Sequence, residues 1–293
     1  MTFNEGADIS NNRARRKGRT AAVAGGGAVG LGGIAVLIIA LLTGGNFDVA
    51  SLLGGGAGGG TSSGSSANGE ELVNCDTGTA AKADDARRLA GGQVALDQFW
   101  AEKVDGYTEP GITIVDGSTQ TPCGTASNQT GPFYCPSDQG VYIDPTFFGL
   151  LRSQFGASGG DLAQLYVLAH EWGHHIQNIT GIMAENPNNG TGPTSNGVRI
   201  ELQADCFAGA WVGSMTEQTD GNGVALLKAP TNQEIADAIN AAETVGDDHI
   251  QAQSSGQINP ESWTHGSSEQ RKEWFMQGYK NGLNTCDTFT GAL

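Results

Sequence analysis

The pattern of apolar residues is clearest over residues 161–181, which read DLAQLYVLAHEWGHHIQNITG. Apolar side chains recur there every three or four residues, as on one face of an amphipathic helix. These positions are Leu162, Leu165, Leu168 or Ala169, Trp172, Ile176 and Ile179. Asp161 is placed to cap the start of this helix and Gly181 to end it. The pattern therefore predicts a helix over 161–181.

A second helical pattern covers residues 198–217, VRIELQADCFAGAWVGSMTE. Its apolar positions are Ile200, Leu202, Cys206, Phe207 and Trp211. Two short apolar runs, 111–115 and 140–143, come before both helices and predict strands. A small sheet followed by helices indicates an α+β domain.

The N-terminal region has a different character. Residues 21–43 carry no charge, and a helix of 23 residues is long enough to cross a bilayer of about 30 Å. Basic residues just before this run predict that residues 1–20 form a short cytoplasmic tail and that the rest lies outside. The alternative is a cleaved signal peptide. Residues 44–70 read as a Gly/Ser-rich linker, and the folded domain is predicted over 71–293.

Charge and cysteine content narrow the class of protein. The chain has 31 acidic against 15 basic residues and a net charge of −16, which argues against a surface for nucleic acid. Cys123 and Cys135 flank a turn-rich segment and are placed to form a local disulfide. Cys206 and Cys286 are candidates for a second, which leaves Cys75 over. Disulfide bonding agrees with an extracytoplasmic location.

His170 and His174 lie four residues apart on the first predicted helix, so both rings lie on one face, about 6 Å apart at Cβ. Two imidazoles so placed can bind one Zn²⁺ through nitrogen. Glu171 follows the first histidine, where its carboxylate can accept a proton from a water on the metal. This is the HExxH pattern of zinc-dependent peptidases; the alternative is a pair of surface histidines. His175 lies about 100° further round the helix and is not assigned as a ligand.

A catalytic zinc needs a third protein ligand and an open position. Glu201 and Asp205 lie four residues apart in the second predicted helix, among apolar residues. Carboxylates placed there need partners, because burying them alone is costly. We expect Glu201 to bind the metal and Asp205 to hydrogen-bond a ligand histidine. The alternative is an acidic pair that caps a helix or faces solvent.

HExxH followed by a second helix with ExxxD resembles the gluzincins, the thermolysin-like zinc peptidases. More specifically, the chain resembles the bacterial neutral zinc metallopeptidase family of membrane-anchored, YpfJ-like proteins. The matching stretches are GPFYCPSDQGVYID (131–144), AHEWGHHIQ (169–177), ELQADCFAGAW (201–211), GDD (246–248) and THGSSEQR with WF (264–275). They spread over most of residues 71–293. The family's early region has a second cysteine after Cys75, whereas this chain reads AKADDARRL there.

The resemblance implies an α+β, zincin-like metallopeptidase domain with a small sheet and an HExxH helix, preceded by one transmembrane helix. One Zn²⁺ per chain is then bound by His170, His174 and Glu201. Glu171 is implied as the catalytic base, and Asp205 as the residue that orients a ligand histidine. These roles agree with those expected from the spacing of the residues.

The implied reaction is hydrolysis of a peptide bond by a zinc-activated water, with Glu171 accepting the proton and later passing it to the leaving amine. The oxyanion needs a donor in addition to zinc. His265, in the polar stretch THGSS, is the candidate; a capping or surface histidine is the alternative. Tyr166 on the first helix is a second candidate, with a core position as its alternative.

The strand at the edge of the small sheet is a candidate for pairing with an extended peptide. We predict residues 141–144, VYID, as that edge; the alternative is an ordinary covered strand. Asp247 and Asp248 suggest a second metal such as calcium, but two adjacent acids more often cap a helix or lie in a solvated loop.

The sequence as a whole predicts a zinc metallopeptidase, anchored in the cell membrane by one N-terminal helix, with its catalytic domain outside the cytoplasm. Its partners would be a peptide or protein substrate and the membrane, and no nucleic acid. The alternative is a non-catalytic zinc-binding scaffold on the same fold. Glu171 beside His170 favours the enzyme, because a structural zinc site has no use for a base and is more often closed by four protein ligands.

Overall fold

The computed structural model describes residues 2–18, 70–72 and 74–293. The strands are β1 (Arg15–Lys17), β2 (Glu70–Glu71), β3 (Gly111–Val115), β4 (Ser118–Thr121), β5 (Gly124–Ser127), β6 (Phe133–Cys135) and β7 (Gly140–Ile143). The α-helices are α1 (Gly78–Ala81), α2 (Asp85–Lys103), α3 (Phe147–Phe155), α4 (Asp161–Ile179), α5 (Ile182–Glu185), α6 (Asn196–Ser214), α7 (Asn232–Thr244), α8 (Asp247–Ser254) and α9 (Ser268–Asn281). Short 3₁₀ turns cover Pro260–Ser262 and Leu283–Thr285. The predicted α+β class is confirmed.

The main sheet has the strand order β2-β1-β3-β7-β6, and β4 and β5 form a separate hairpin. Strand β3 is parallel to both β1 and β7, whereas β1–β2 and β7–β6 are antiparallel pairs. The two strands predicted from the sequence, 111–115 and 140–143, are β3 and β7. They are adjacent, with Ile112 opposite Val141.

The prediction that residues 141–144 form the edge of the sheet is wrong. Strand β7 pairs with β3 on one side and with β6 on the other. All four of its residues are buried, which agrees with a continuous apolar sequence in an interior strand. Among the described strands, the edge on this side of the sheet is β6.

The two predicted helices are α4 and α6, with small differences at their ends. Helix α4 ends at Ile179, and Gly181 follows with a φ of 83°, a left-handed conformation that glycine adopts without steric cost. Asp161 is the first helical residue, after the cap Gly160, and makes no side-chain cap. Helix α6 begins at Asn196, where the Ser195 side chain accepts a hydrogen bond from the Val198 amide.

Helix α4 is the central helix of the domain, and its residues from Leu162 to Gln177 are all buried. Close approach to α6 is possible because Gly173 faces Ala204, whose Cα would lie 3.1 Å from any Cβ at that position. A side chain at Gly209 would meet the Phe275 carbonyl oxygen at 2.0 Å, and one at Gly278 would meet the Cys206 oxygen at 1.9 Å. These glycines bring α4, α6 and α9 into close contact, with the candidate site between them.

Both predicted disulfides are present, Cys123–Cys135 and Cys206–Cys286. The first ties β6 to the loop between β4 and β5. The second ties α6 to the C-terminal segment. Cys75 is a buried free thiol, and burial raises its pKa to about 11.

Residues 2–18 lie in the same body as residues 74–293. Phe3 and Ile9 belong to the main hydrophobic core, and β1 lies within the main sheet. The predicted transmembrane run 21–43 lies outside the described residues, as does the predicted linker except for Glu70 in β2. Among the described residues, no helix is long and apolar enough to span a membrane.

Candidate metal centre

The structure brings His170 and His174 of α4 together with Glu201 of α6. The two histidines are fully buried and Glu201 is 3% exposed. The Nε2 atoms of the histidines lie 3.1 Å apart. Glu201 Oε2 is 3.1 Å from His170 Nε2, and Glu201 Oε1 is 3.5 Å from His174 Nε2. Three potential ligand atoms, two nitrogens and one oxygen, therefore converge on one point.

This donor set fits zinc. Ligand atoms about 2.0–2.2 Å from one tetrahedral ion lie about 3.3–3.5 Å from each other, close to the separations found here. A His–His–Glu set with one further position for water is also typical of catalytic zinc. Within the described parts of the chain, these residues form the one cluster of three or more potential ligands that are close enough to share an ion.

Glu171 is fully buried next to His170, one of the three candidate ligands. Neither of its carboxylate oxygens has a hydrogen-bond partner among the described residues. Buried carboxylates are rarely left without partners, because the unmet hydrogen bonds cost free energy. Burial raises the pKa of Glu171 to about 8, while the charge of His170 acts in the opposite direction. An unpartnered carboxylate at this position can accept a proton from a water in the site.

The ring of His170 is held from behind by charged groups. Its Nδ1 lies 2.8 Å from Asp205 Oδ1, and Tyr166 donates its hydroxyl to the same oxygen. Arg271 of α9 donates from Nε to Asp205 Oδ2 at 2.7 Å and from Nη2 to Oδ1 at 2.9 Å. All four side chains are fully buried. The predicted contact between Asp205 and one of the two candidate ligand histidines is therefore present, and the carboxylate is also paired with an arginine.

The ring of His174 is held by amides instead. Its Nδ1 lies 2.9 Å from Gln177 Oε1. Gln177 donates in turn to the Ile200 carbonyl oxygen at 2.7 Å and to Gln203 Oε1 at 3.0 Å. Gln203 donates to the carbonyl oxygen of Cys286 at 3.0 Å. This chain of neutral groups leads from the histidine to the Cys206–Cys286 disulfide.

The pKa shifts reflect these two surroundings. Burial acts to lower the pKa of His170, but Asp205 and Glu201 outweigh it and raise the pKa to about 9. Burial lowers the pKa of His174 to about 4. The partner of its Nδ1 is the neutral amide of Gln177, so this contact does not offset burial as Asp205 does for His170. Burial acts to raise the pKa of Glu201, but the nearby histidines outweigh it and hold the pKa below its usual value. A negative charge is thus maintained where a cation would bind.

The charges of His265 and Glu201 act on each other. It is 4% exposed, and its Nδ1 lies 2.7 Å from Thr264 Oγ1 and 3.5 Å from Asp247 Oδ1. Burial acts to lower the pKa of His265, but the charge of Glu201 and the hydrogen bond to Asp247 outweigh it and raise the pKa. The His265 imidazole is therefore buried, and the negative charge of Glu201 favours its protonated form.

Asp247 and Asp248, considered from the sequence for a second metal, bind backbone amides instead. Asp247 Oδ2 accepts from the amides of Thr264, His265 and Gly266 at 2.7–3.0 Å. Asp248 Oδ1 accepts from the amide and hydroxyl of Ser268 at the start of α9. Both carboxylates shape the loop that carries His265.

Strand β6 runs beside the HExxH helix. The Tyr134 hydroxyl lies 3.0 Å from His175 Nδ1 and accepts from Asn178 Nδ2 at 2.9 Å. His175 Nε2 lies 2.6 Å from the Thr108 carbonyl oxygen. His175 therefore faces away from the ligand cluster, as its position on the helix predicted. Tyr166, the second oxyanion candidate, donates to Asp205 in the buried layer behind His170.

Three groups of this site were not found from the sequence. Gln177 lies three residues after His174 on the same helix, and this spacing is a signal for a contact. Asp247 lies in the matched GDD stretch, where the sequence favours a helix cap or a solvated loop and does not indicate a contact with His265. Arg271 is the last residue of the matched stretch THGSSEQR, but its polar neighbours in the sequence do not distinguish a buried arginine from an exposed one.

Comparison with known proteins agrees with the geometry. The family model described as "Putative neutral zinc metallopeptidase" matches residues 1–289. The chain belongs to this family of zinc metallopeptidases. Uncharacterized protein Rv2575 of Mycobacterium tuberculosis is 44% identical over 228 residues, which are 77% of this chain and 78% of that protein. Uncharacterized protein YpfJ of Escherichia coli K12 is 42% identical over 193 residues, 64% of each chain. No solved structure matches the chain.

Proposed function

We propose that this protein is a zinc-dependent peptidase in which Glu171 is the general base. The observation that carries the proposal is the buried Glu171 carboxylate, which has no hydrogen-bond partner among the described residues and lies beside three converging ligand atoms. Membership of the neutral zinc metallopeptidase family supports a peptide or protein as substrate.

His170, His174 and Glu201 would hold the ion, and the ion when bound supplies Lewis acidity to the scissile carbonyl and lowers the pKa of a water to about 7. Glu171 accepts a proton from the attacking water and later delivers it to the leaving amine. Asp205 and Gln177 hold the two imidazoles in the orientation that directs Nε2 inward.

His265 is the residue that we assign to the developing oxyanion. A donor of this kind must be held in place before the reaction, so that no reorganisation is needed as charge develops. Asp247 provides that support, since it binds the loop amides at residues 264–266 and lies beside His265 Nδ1. Tyr166 is not assigned here, because its hydroxyl is committed to Asp205.

Strand β6 is the element that we assign to the extended substrate. Its inner edge pairs with β7, and among the described strands its outer edge has no partner. Strand β6 lies against the HExxH helix, since the Tyr134 hydroxyl contacts His175 and Asn178. An added peptide strand would then lie alongside the site. This arrangement of edge strand, HExxH helix and second ligand helix is the zincin-like fold that we propose for the domain.

We propose an extracytoplasmic location for residues 74–293. Two disulfides support it, because such bonds persist in oxidising compartments and are rare in the cytosol. Attachment to the membrane through residues 21–43 stays a prediction from the sequence.

The test compares the full chain with its Glu171→Gln variant for zinc content and for cleavage of a diverse peptide library. We expect both proteins to bind about one zinc per chain, and the variant to cleave about 10²–10⁴-fold more slowly. A parent that binds zinc and cleaves nothing would favour the non-catalytic scaffold. Failure of both proteins to bind zinc would overturn the ligand assignment.

A further inference from the structure

The guanidinium of Arg271 is fully buried and forms a two-point contact with one carboxylate. Nε and Nη2 of Arg271 donate to the two different oxygens of Asp205. Such a fork fixes the plane of a carboxylate, which a single hydrogen bond does not. Nη1 also donates to the Val245 carbonyl oxygen at 3.3 Å, so the arginine is itself held at its far side.

The orientation of Asp205 determines the orientation of His170. Asp205 Oδ1 lies 2.8 Å from His170 Nδ1, and this contact fixes both the tilt of the ring and the side on which Nε2 presents its lone pair. Arg271 thus fixes the Asp205 carboxylate, and Asp205 fixes the imidazole. The arginine also supplies the positive charge without which the buried Asp205 carboxylate would be costly.

We propose that Arg271 is a positioning residue of the metal centre, which acts on the zinc affinity through Asp205 and His170. The proposal rests on the zinc-binding role given to His170 above. The proposal predicts that full zinc affinity needs the planar guanidinium as well as its positive charge. A lysine at position 271 would supply the charge but could not contact both Asp205 oxygens in one plane.

The test measures the zinc dissociation constant of the full chain and of its Arg271→Met and Arg271→Lys variants by chelator competition. We expect Arg271→Met to weaken zinc binding by about 10–100-fold, and Arg271→Lys to restore part of this loss. The absorption spectrum of the Co²⁺-loaded protein gives a second readout, since a rotated imidazole changes the ligand field.

A matched control is Arg88→Met. Arg88 is 7% exposed and pairs with Asp85 and Asp161, so its loss removes a buried arginine that does not contact Asp205. We expect Arg88→Met to lower the free energy of unfolding while zinc affinity stays within twofold. If Arg271→Met does not fold, Arg271→Lys keeps the buried positive charge opposite Asp205 and is still expected to weaken zinc binding relative to the parent.

Parental zinc affinity in folded Arg271→Met, or in Arg271→Lys where Arg271→Met does not fold, would overturn the assignment. Because the readout is zinc binding, it is independent of hydrolysis. If the parent protein binds zinc but cleaves no peptide, the proposed function is wrong. The role of Arg271 in zinc binding can still be measured in that case.

A second inference concerns the N-terminal segment 2–18. Strand β1 lies between β2 and β3, with Arg15 opposite Glu71 on one side and Thr113 on the other. The Arg13 guanidinium pairs with Asp97 of α2. The family model also begins at residue 1, so this segment is part of what the family shares.

We infer that residues 2–18 and the domain 74–293 occupy the same side of any membrane that the protein meets. An interior sheet strand and core residues such as Phe3 and Ile9 cannot be separated from the domain by a bilayer. A single crossing by residues 21–43, as predicted from the sequence, would place them on opposite sides. The two arrangements exclude each other within one molecule.

Zero-length cross-linking with a carbodiimide distinguishes them in membranes from cells that express the full chain. Lys82 Nζ lies 2.6 Å from Glu5 Oε1 in the N-terminal segment, and an amide bond between them requires both on one side. Lys272 and Glu243, 3.0 Å apart within the domain, serve as the internal control. We expect both cross-linked peptides by mass spectrometry, with the first lost in Glu5→Gln. Detection of the control alone would overturn the inference.

Discussion

The two histidines of the HExxH motif are held by opposite kinds of chemistry. Behind His170 lies an ion pair, Asp205 with Arg271, fully removed from water. Behind His174 lies a chain of neutral amides that starts at Gln177. In both arrangements a partner contacts Nδ1 of the ring, and Nε2 points toward the other candidate ligand atoms. They differ in what happens when one member is lost.

This difference follows from the cost of burying charge. Removing one partner of a buried ion pair leaves an uncompensated charge and costs about 3–5 kcal/mol. Removing one amide leaves unmet hydrogen bonds and costs about 1–3 kcal/mol. A carboxylate also makes the imidazole that it contacts a more basic ligand than an amide does. We therefore expect the His170 side to dominate both stability and zinc affinity.

The largest effect is expected for Asp205→Leu. The change leaves Arg271 buried without a counter-charge, so the free energy of unfolding should fall by about 3–5 kcal/mol. Zinc affinity should fall by about 10–100-fold, because His170 loses its Nδ1 partner. Urea unfolding and chelator competition measure the two quantities.

The double variant Asp205→Leu/Arg271→Met separates these two effects. It removes both charges, so we expect most of the stability to return, while zinc affinity stays low because no group orients His170. Recovery of zinc affinity in the double variant would show that the charged pair acts on stability alone.

The next effect tests the far end of the amide chain. Gln203 donates to the carbonyl oxygen of Cys286, whose disulfide to Cys206 closes a separation of 80 residues. Replacing both cysteines by serine should lower the free energy of unfolding by about 2–4 kcal/mol. Removing Cys123 and Cys135 in the same way is the control, since that disulfide lies outside the amide chain. Only the first pair should also weaken zinc binding.

A smaller effect is expected for Gln177→Leu. The leucine has a similar volume but cannot contact His174 Nδ1, the Ile200 carbonyl oxygen or Gln203. We expect a loss of about 1–3 kcal/mol in the free energy of unfolding and a change in zinc affinity below that of Asp205→Leu. A larger loss of affinity than in Asp205→Leu would reverse the ranking of the two sides.

The parts of the site that the sequence predicted are those carried by local periodicity. His170, His174 and their helix follow from a spacing of four residues, and Glu201 with Asp205 from the same spacing in the second predicted helix. The disulfides and the strands 111–115 and 140–143 were also predicted correctly. Each of these features depends on neighbours in the chain, except the Cys206–Cys286 disulfide, which joins residues 80 apart and was proposed because these two cysteines remained as a possible pair.

The parts that the sequence did not predict depend on contacts between distant segments. Arg271 lies 66 residues from Asp205, and its burial results from the close approach of α9 to α6 at Gly209 and Gly278. The placement of β7 inside the sheet depends on β6, which is three residues long, too short to show a pattern. The same reason accounts for β1, whose sequence is Arg-Arg-Lys and carries no strand signal.

The smallest effect on the metal is expected at His175, the neighbour of His174. His175 contacts Tyr134 and the Thr108 carbonyl oxygen and takes no part in the ligand cluster. His174→Ala removes a ligand atom and should abolish tight zinc binding. His175→Ala should leave zinc affinity within twofold of the parent and lower the free energy of unfolding by about 1–3 kcal/mol, because the hydrogen bonds to Tyr134 of β6 and to the Thr108 carbonyl oxygen are lost. His175→Ala could instead weaken zinc binding as strongly as Gln177→Leu. The neutral groups that hold His174 in place would then include the contact of His175 with Tyr134 on β6, in addition to the amide chain that starts at Gln177.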